Sequence, residues 1–169
     1  MIIDKKKIEE EAQIVLHNYK SGNFSNAENK AKQIIKKHPG YAAMYNILGL
    51  ALTRQHKVAE AIKTYQKALA LKPNFAIVHN NLGNLLNGEG KKDEAYKCYF
   101  KAIKYEPKFA LAHNNLGNFF KDQNNFKEAV NCFEKALKCE PNLFVVYSNL
   151  GVAYQNLGKF DEAAKCYRR

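Results

Sequence analysis

Four glycines at a constant interval are the feature that most constrains the fold of this chain. Gly49, Gly83, Gly117 and Gly151 lie 34 residues apart, within the segments YNILGLAL, HNNLGNLL, HNNLGNFF and YSNLGVAY. A fixed period of this length is typical of stacked helical hairpins, in which each unit packs only on its neighbours. The chain of 169 residues is therefore predicted to form one elongated all-α domain that displays a binding surface.

The residues that recur around each glycine predict two helices per repeat. When each unit starts seven residues before its glycine, position four holds a Tyr or His ring, position seven leucine and position eight glycine. Alanine, an aromatic ring and alanine follow at positions twenty, twenty-four and twenty-seven, and proline at thirty-two. The apolar positions have helical spacing, and proline ends the second helix because it lacks an N–H. Position fifteen, where a left-handed backbone is predicted to end the first helix, holds His56, Gly90, Asn124 and Gly158.

This pattern resembles the tetratricopeptide repeat. The resemblance covers residues 42–169 strongly, as repeats 42–75, 76–109 and 110–143 and an incomplete repeat 144–169. Residues 8–41 look like a degenerate first repeat, with Val15 in place of the glycine and Ala31 in place of the aromatic residue. The resemblance implies a right-handed superhelical α-solenoid of antiparallel helix pairs, with residues 1–169 as a single domain.

The fourth repeat reaches Arg169 in mid-helix, before its own terminating proline. A solenoid end without a polar capping helix exposes apolar surface. We therefore expect either that the chain is a piece of a longer protein or that it associates with another copy through this C-terminal end.

Composition and charge narrow the class of protein. The N-terminal segment contains no long apolar run, which argues against a signal peptide or a membrane span and predicts a cytoplasmic protein with reduced cysteines. The net charge of +11 suggests an anionic partner. However, acidic residues open each second helix and lysines follow toward its end, an order that complements the helix dipole and favours a solvated surface over a nucleic-acid site.

Three cysteines follow the same period, at Cys98, Cys132 and Cys166. Packed helices stand about 8–10 Å apart, whereas a disulfide needs Cα atoms within about 4.4–6.8 Å and zinc needs thiolates about 2.3 Å away. These cysteines are therefore predicted to be small buried packing residues, and no metal or other cofactor is expected.

The candidate binding residues lie on the first helix of each repeat, away from its packing seam. In such stacks the first helices line the concave face, so positions two, five, six and nine would meet a ligand. The predicted peptide-binding residues are eight amides and three aliphatic side chains: Asn46, Asn80, Asn81, Asn84, Asn114, Asn115, Asn118, Asn149, Ile77, Leu111 and Val145.

Asparagine is disfavoured inside helices, so its recurrence indicates a role other than helix formation. A carboxamide both donates and accepts, and a row of them can pair with the main chain of an extended peptide. The arrangement resembles the asparagine ladder of O-linked N-acetylglucosamine transferases, matched at Asn81, Asn115 and Asn149. The carboxylate clamp for chaperone tails fits poorly, because Asn80, Asn114 and Val145 stand where that clamp needs lysine. The alternative that remains open is that some of these asparagines are solvated residues without a guest.

Catalytic motifs for a serine nucleophile, a zinc protease or a phosphate loop are missing from the sequence, which predicts a non-catalytic chain. The favoured function is a protein–protein interaction module that binds an extended peptide segment. The alternatives are a substrate-recognition arm of a larger glycosyltransferase or sulfotransferase, and nucleic-acid binding, which rests on charge alone.

Overall fold

The computed structural model describes residues 5–169, and over that range it consists of helices without strands. The all-α fold class is thus confirmed. The helices are α1 (Lys5–Lys20), α2 (Phe24–Lys37), α3 (Ala42–Arg54), α4 (Val58–Leu71), α5 (Ala76–Gly88), α6 (Lys92–Tyr105), α7 (Ala110–Lys121), α8 (Phe126–Cys139), α9 (Phe144–Asn156) and α10 (Phe160–Tyr167). Among the described residues, none of these helices combines the length and the apolarity needed to span a membrane.

The chain forms two compact units, Met1–Leu85 and Leu86–Arg169. In the first unit α1 packs on α2, α2 on α3 and α3 on α4, and α1 also contacts α3. In the second unit α6 packs on α7, α7 on α8, α8 on α9 and α9 on α10, and α7 also contacts α9. The prediction of a single domain and of its repeat boundaries stays a prediction, and residues 1–4 of that domain lie outside the described range.

The periodic glycine makes room for an aromatic ring of the paired second helix. A Cβ atom on Gly117 would stand 2.5 Å from Cε1 of Phe133, whose side chain is fully buried. The same substitution on Gly49 would bring a Cβ to 2.5 Å from the ring of Tyr65. These distances are below van der Waals contact, so only glycine permits this close approach of the two helices.

The first repeat solves the same packing problem with different side chains. Val15 stands at its glycine position and Ala31 at its aromatic position, and both are completely buried. In the other repeats the larger side chain of this pair is on the second helix, whereas here it is on the first. The pair α1 and α2 therefore still fills its interior. The degenerate sequence of this repeat therefore retains a packed core.

A left-handed residue follows each first helix in the described chain. Gly22, Gly90 and Gly158 have φ values of 78°, 75° and 72°. His56 and Asn124 adopt φ 59° at the equivalent position, although they carry a Cβ. The prediction for position fifteen is confirmed, and the strain falls on the two repeats that lack glycine there.

The ring at position four secures the junction between repeats. His79 Nε2 lies 2.8 Å from the carbonyl oxygen of Pro73, and His113 Nε2 lies 2.9 Å from that of Pro107. Tyr45 donates its hydroxyl to the carbonyl of Pro39 at 3.1 Å. Histidine and tyrosine thus interchange because the ring nitrogen of one and the hydroxyl of the other both reach the carbonyl oxygen of the preceding repeat's terminating proline.

The cysteines are free, as expected for packing residues. Cys132 and Cys166 are buried and Cys98 is half-buried, whereas Cys139 is exposed. Burial raises the pKa of Cys132 to about 11. Within the described residues, histidine, cysteine and carboxylate side chains do not gather into a potential metal site.

Candidate functional site

The predicted binding residues occur on both units, and they are described separately as two amide faces. The amide face of unit 1 comprises Asn46 on α3 and Ile77, Asn80, Asn81 and Asn84 on α5. The amide face of unit 2 comprises Leu111, Asn114, Asn115 and Asn118 on α7 and Val145 and Asn149 on α9. On each helix these residues recur at intervals of three or four, which places them along one stripe.

Hydrogen bonds between carboxamides join the first helices within each unit. Asn81 Nδ2 donates to Asn46 Oδ1 at 2.9 Å in unit 1. Asn149 Nδ2 donates to Asn114 Oδ1 at 3.1 Å in unit 2. The side chain at position six of one repeat therefore donates a hydrogen bond to the side chain at position five of the preceding repeat. The same contact occurs in both units.

The amides of position five lie deeper than expected for residues that face a ligand. Asn46, Asn80 and Asn114 are buried, with 8%, 4% and 6% of their surface exposed. A buried carboxamide needs hydrogen-bond partners within the protein, and the contacts from Asn81 and Asn149 supply them for two of these residues. The three residues can therefore offer a peptide little more than an edge, and Asn46 and Asn114 are hydrogen-bonded to the neighbouring repeat.

The other predicted residues remain accessible. Asn81, Asn115, Asn118 and Asn149 are half-buried, and Asn84 is exposed. The aliphatic residues of position two, Ile77, Leu111 and Val145, are 40%, 45% and 55% exposed. Accessible amides and accessible aliphatic side chains are thus adjacent along the helices of each amide face.

Lys121 is a further polar residue of the unit 2 amide face, and the repeat pattern does not predict it. Its Nζ donates to Asn118 Oδ1 at 3.1 Å on the same helix and to Asn149 Oδ1 at 3.4 Å on α9. Lys121 does not recur in the repeats, since Thr53, Asn87 and Gln155 occupy its position. The sequence feature that points to Lys121 is its spacing of three residues from Asn118, which places it on the same stripe of α7 as the predicted amides.

A second polar cluster that the sequence did not reveal surrounds Glu28 in unit 1. The Glu28 carboxylate is buried and accepts hydrogen bonds from Lys32 on its own helix and from Gln55 and Lys57 in the turn between α3 and α4. Burial raises the pKa of Glu28, but these hydrogen bonds outweigh burial and lower it to about 2. The cluster ties two successive repeats together and has the character of a structural ion pair.

Comparisons with known proteins agree with this architecture. The family profile described as "TPR repeat" matches residues 49–88 and 117–158, and that described as "Tetratricopeptide repeat" matches residues 76–109. No curated protein sequence is significantly similar to the chain.

Solved structures share the fold at low sequence identity. A crystal structure of MamA is 24% identical, with a TM-score of 0.77, and the match covers 92% of this chain and 91% of that one. PilF from Pseudomonas aeruginosa is 22% identical, with a TM-score of 0.90, over 96% of this chain and 74% of its own. BtubC from P. vanneervenii is 21% identical, with a TM-score of 0.82, over 96% and 77% of the two chains.

Proposed function

Because the chain belongs to the tetratricopeptide-repeat family, a family of protein-interaction scaffolds, we propose that its amide faces bind the main chain of an extended peptide segment. The observation that carries this proposal is the carboxamide pair found in each unit. Asn81 and Asn149 are held by a hydrogen bond to the preceding repeat and yet remain partly accessible. Such a side chain loses little conformational freedom when it binds a guest.

The chemistry of a carboxamide suits a peptide main chain. Each Asn side chain has two N–H donors and one oxygen with two lone pairs, so one hydrogen bond to a neighbour leaves further capacity. Backbone N–H and C=O groups recur along any extended segment, whatever its side chains. Recognition of this kind selects the extended shape of the guest over its sequence, as in the asparagine ladder of the O-linked N-acetylglucosamine transferases that the sequence resembles.

We assign two tiers to the predicted residues. Asn81, Asn84, Asn115, Asn118 and Asn149 would contact the peptide. The buried residues Asn46, Asn80 and Asn114 would hold these side chains in position rather than contact the peptide. The exposed aliphatic residues Ile77, Leu111 and Val145 would pack against alternate side chains of the guest, contributing apolar burial that main-chain hydrogen bonds lack.

The role is proposed as non-catalytic. A substrate-recognition arm of a larger transferase would use the same faces and would hold its substrate in the same way, so it remains a prediction alongside the free-standing module. Nucleic-acid binding receives less support, since acidic residues do occupy the first turns of α4, α6, α8 and α10 among the lysines.

The test compares wild type with the double variant Asn81→Ala/Asn149→Ala. The probe is a labelled peptide that repeats Ser-Gln-Val-Thr, and binding is measured by fluorescence anisotropy. Each amide face loses one hydrogen bond of about 0.5–1.5 kcal/mol, which predicts a loss of affinity of roughly 2- to 12-fold at each face. Backbone N-methylation of the peptide should weaken binding to wild type as well, because it removes the N–H donors.

The matched control is Asn29→Ala/Asn131→Ala. It removes two exposed asparagines from second helices, one in each unit. It should bind as wild type does, and circular dichroism should show all three proteins equally helical. If wild type fails to bind, or if the control loses as much affinity as the test variant, the proposal is wrong.

A further inference from the structure

The first helices of the four clear repeats contain no aspartate or glutamate. In α3, α5, α7 and α9 together, the only lysine or arginine residues are Arg54 and Lys121. The chain has 16 acidic residues, so their exclusion from these four helices leaves the amide faces free of negative charge on their own elements. A face that lacks carboxylates does not repel an acidic guest.

In unit 2 the single cation of these helices is directed onto the amide face. The Lys121 ammonium contacts the side-chain oxygens of both Asn118 and Asn149, so it bridges α7 and α9. Within the described residues, both hydrogen bonds of this ammonium go to amide oxygens and not to a carboxylate. Lys121 is half-buried, which lessens the screening of its charge by water.

The direction of these hydrogen bonds determines what the face presents. An ammonium has three N–H donors and no acceptor, and two of its donors are used on amide oxygens. With its oxygen bound by the ammonium, Asn118 presents its N–H groups to a guest, and Asn149, which donates one N–H to Asn114, can present its other N–H. The local surface is therefore rich in donors and positively charged, and it best complements a carboxylate.

We infer that Lys121, Asn118 and Asn149 form a subsite in unit 2 that selects an aspartate or glutamate side chain of the bound segment. This inference rests on the proposed function, because the amides that would bind the main chain also orient the subsite. The partner class is thus an extended segment with acidic side chains. Leu111 and Val145, which lie near the N-terminal ends of α7 and α9, would accept apolar side chains of the same segment.

The experiment compares two labelled peptides that differ only in charge, one repeating Ser-Glu-Val-Thr and the other Ser-Gln-Val-Thr. Wild type should bind the Glu peptide about 3- to 10-fold more tightly at low salt, and the preference should shrink as salt screens the charges. Lys121→Gln should abolish the preference, so that the Glu and Gln peptides bind this variant within about twofold of each other. Lys135→Gln, which removes an exposed lysine of α8, is the control with the same change in net charge.

The outcomes separate the two proposals. If wild type binds neither peptide, the main-chain proposal fails and this inference fails with it. If wild type binds both peptides equally, or if Lys121→Gln keeps the preference, main-chain binding stands and the acidic subsite is refuted. If Lys135→Gln loses the preference as fully as Lys121→Gln, selection comes from net charge and the subsite is again refuted.

Discussion

A glycine-to-alanine substitution should have opposite effects at two positions of unit 2. At Gly117 the new Cβ would stand 2.5 Å from Cε1, 2.7 Å from Cδ1 and 3.0 Å from Cζ of Phe133. Phe133 is fully buried, so its ring has no space into which it can move. At Gly88, which ends α5, a Cβ would meet nothing within 4 Å.

The magnitudes follow from two opposing effects. Overpacking a core costs about 1–3 kcal/mol, and alanine gains about 0.5–1 kcal/mol over glycine inside a helix. Because the contact at Gly117 involves three ring atoms of a fixed side chain, we expect the upper end of the cost and a net loss of about 2 kcal/mol. Gly88→Ala should be neutral or stabilising by up to about 1 kcal/mol.

A third variant, Gly151→Ala, should have an intermediate effect on stability. Gly151→Ala would place a Cβ 2.5 Å from Cε1 of Tyr167, but that residue is 52% exposed and its ring can turn aside. Its cost should fall between those of the other two variants.

Urea unfolding followed by far-UV circular dichroism would rank the three variants by midpoint. Truncation of the opposing ring, Phe133→Leu, should cost less stability in the Gly117→Ala background than in wild type, because it relieves the clash. If Gly117→Ala and Gly88→Ala shift the midpoint in the same direction, or if Gly151→Ala costs the most, the close-approach explanation is incorrect.

Two further predictions concern titratable groups. The folded-state pKa of Glu28, about 2, lies below its ordinary 4.5, so its ion pairs stabilise the protein above about pH 4.5 and are lost as pH falls toward 2. The full shift corresponds to about 3 kcal/mol, reduced to about 1–2 kcal/mol because Lys32 and Lys57 are 51% and 40% exposed. Thermal melts of wild type and Glu28→Gln should converge across that window, whereas a constant difference would contradict the assignment. Iodoacetamide at mildly alkaline pH should modify the exposed Cys139 first and Cys132 most slowly, since burial raises the pKa of Cys132 to about 11. Mass spectrometry of Cys139→Ser should then show that the fast phase is lost, and its persistence would point to another reactive thiol.

The fold could be predicted from the sequence because its determinants recur. Gly117, Phe133 and Asn124 each have counterparts at the same position of other repeats, and a periodic signal identifies helix pairs, close contacts and turns together. The free, mostly buried periodic cysteines follow from the same reasoning.

The depth of the asparagines could not be predicted in the same way. Asn114 and Asn115 are neighbours on one helix and both lie near the edge of the amide face. Only the position of the adjacent helix decides that Asn114 is buried while Asn115 remains accessible. The contact between Lys121 and Asn149 joins residues 28 positions apart, and that between Glu28 and Lys57 joins residues 29 positions apart. Neither Lys121 nor Glu28 recurs at the same position of other repeats. An interaction that occurs in one repeat alone produces no periodic pattern in the sequence and so could not be predicted from it.

The exchanged sizes of Val15 and Ala31 make the first hairpin a matched set of two helices. Transplanting α1 alone into a later repeat would oppose valine to an aromatic ring, and transplanting α2 alone would oppose alanine to glycine and leave a void. Recombination or engineering of this protein should therefore succeed with whole hairpins as building blocks and fail with individual helices.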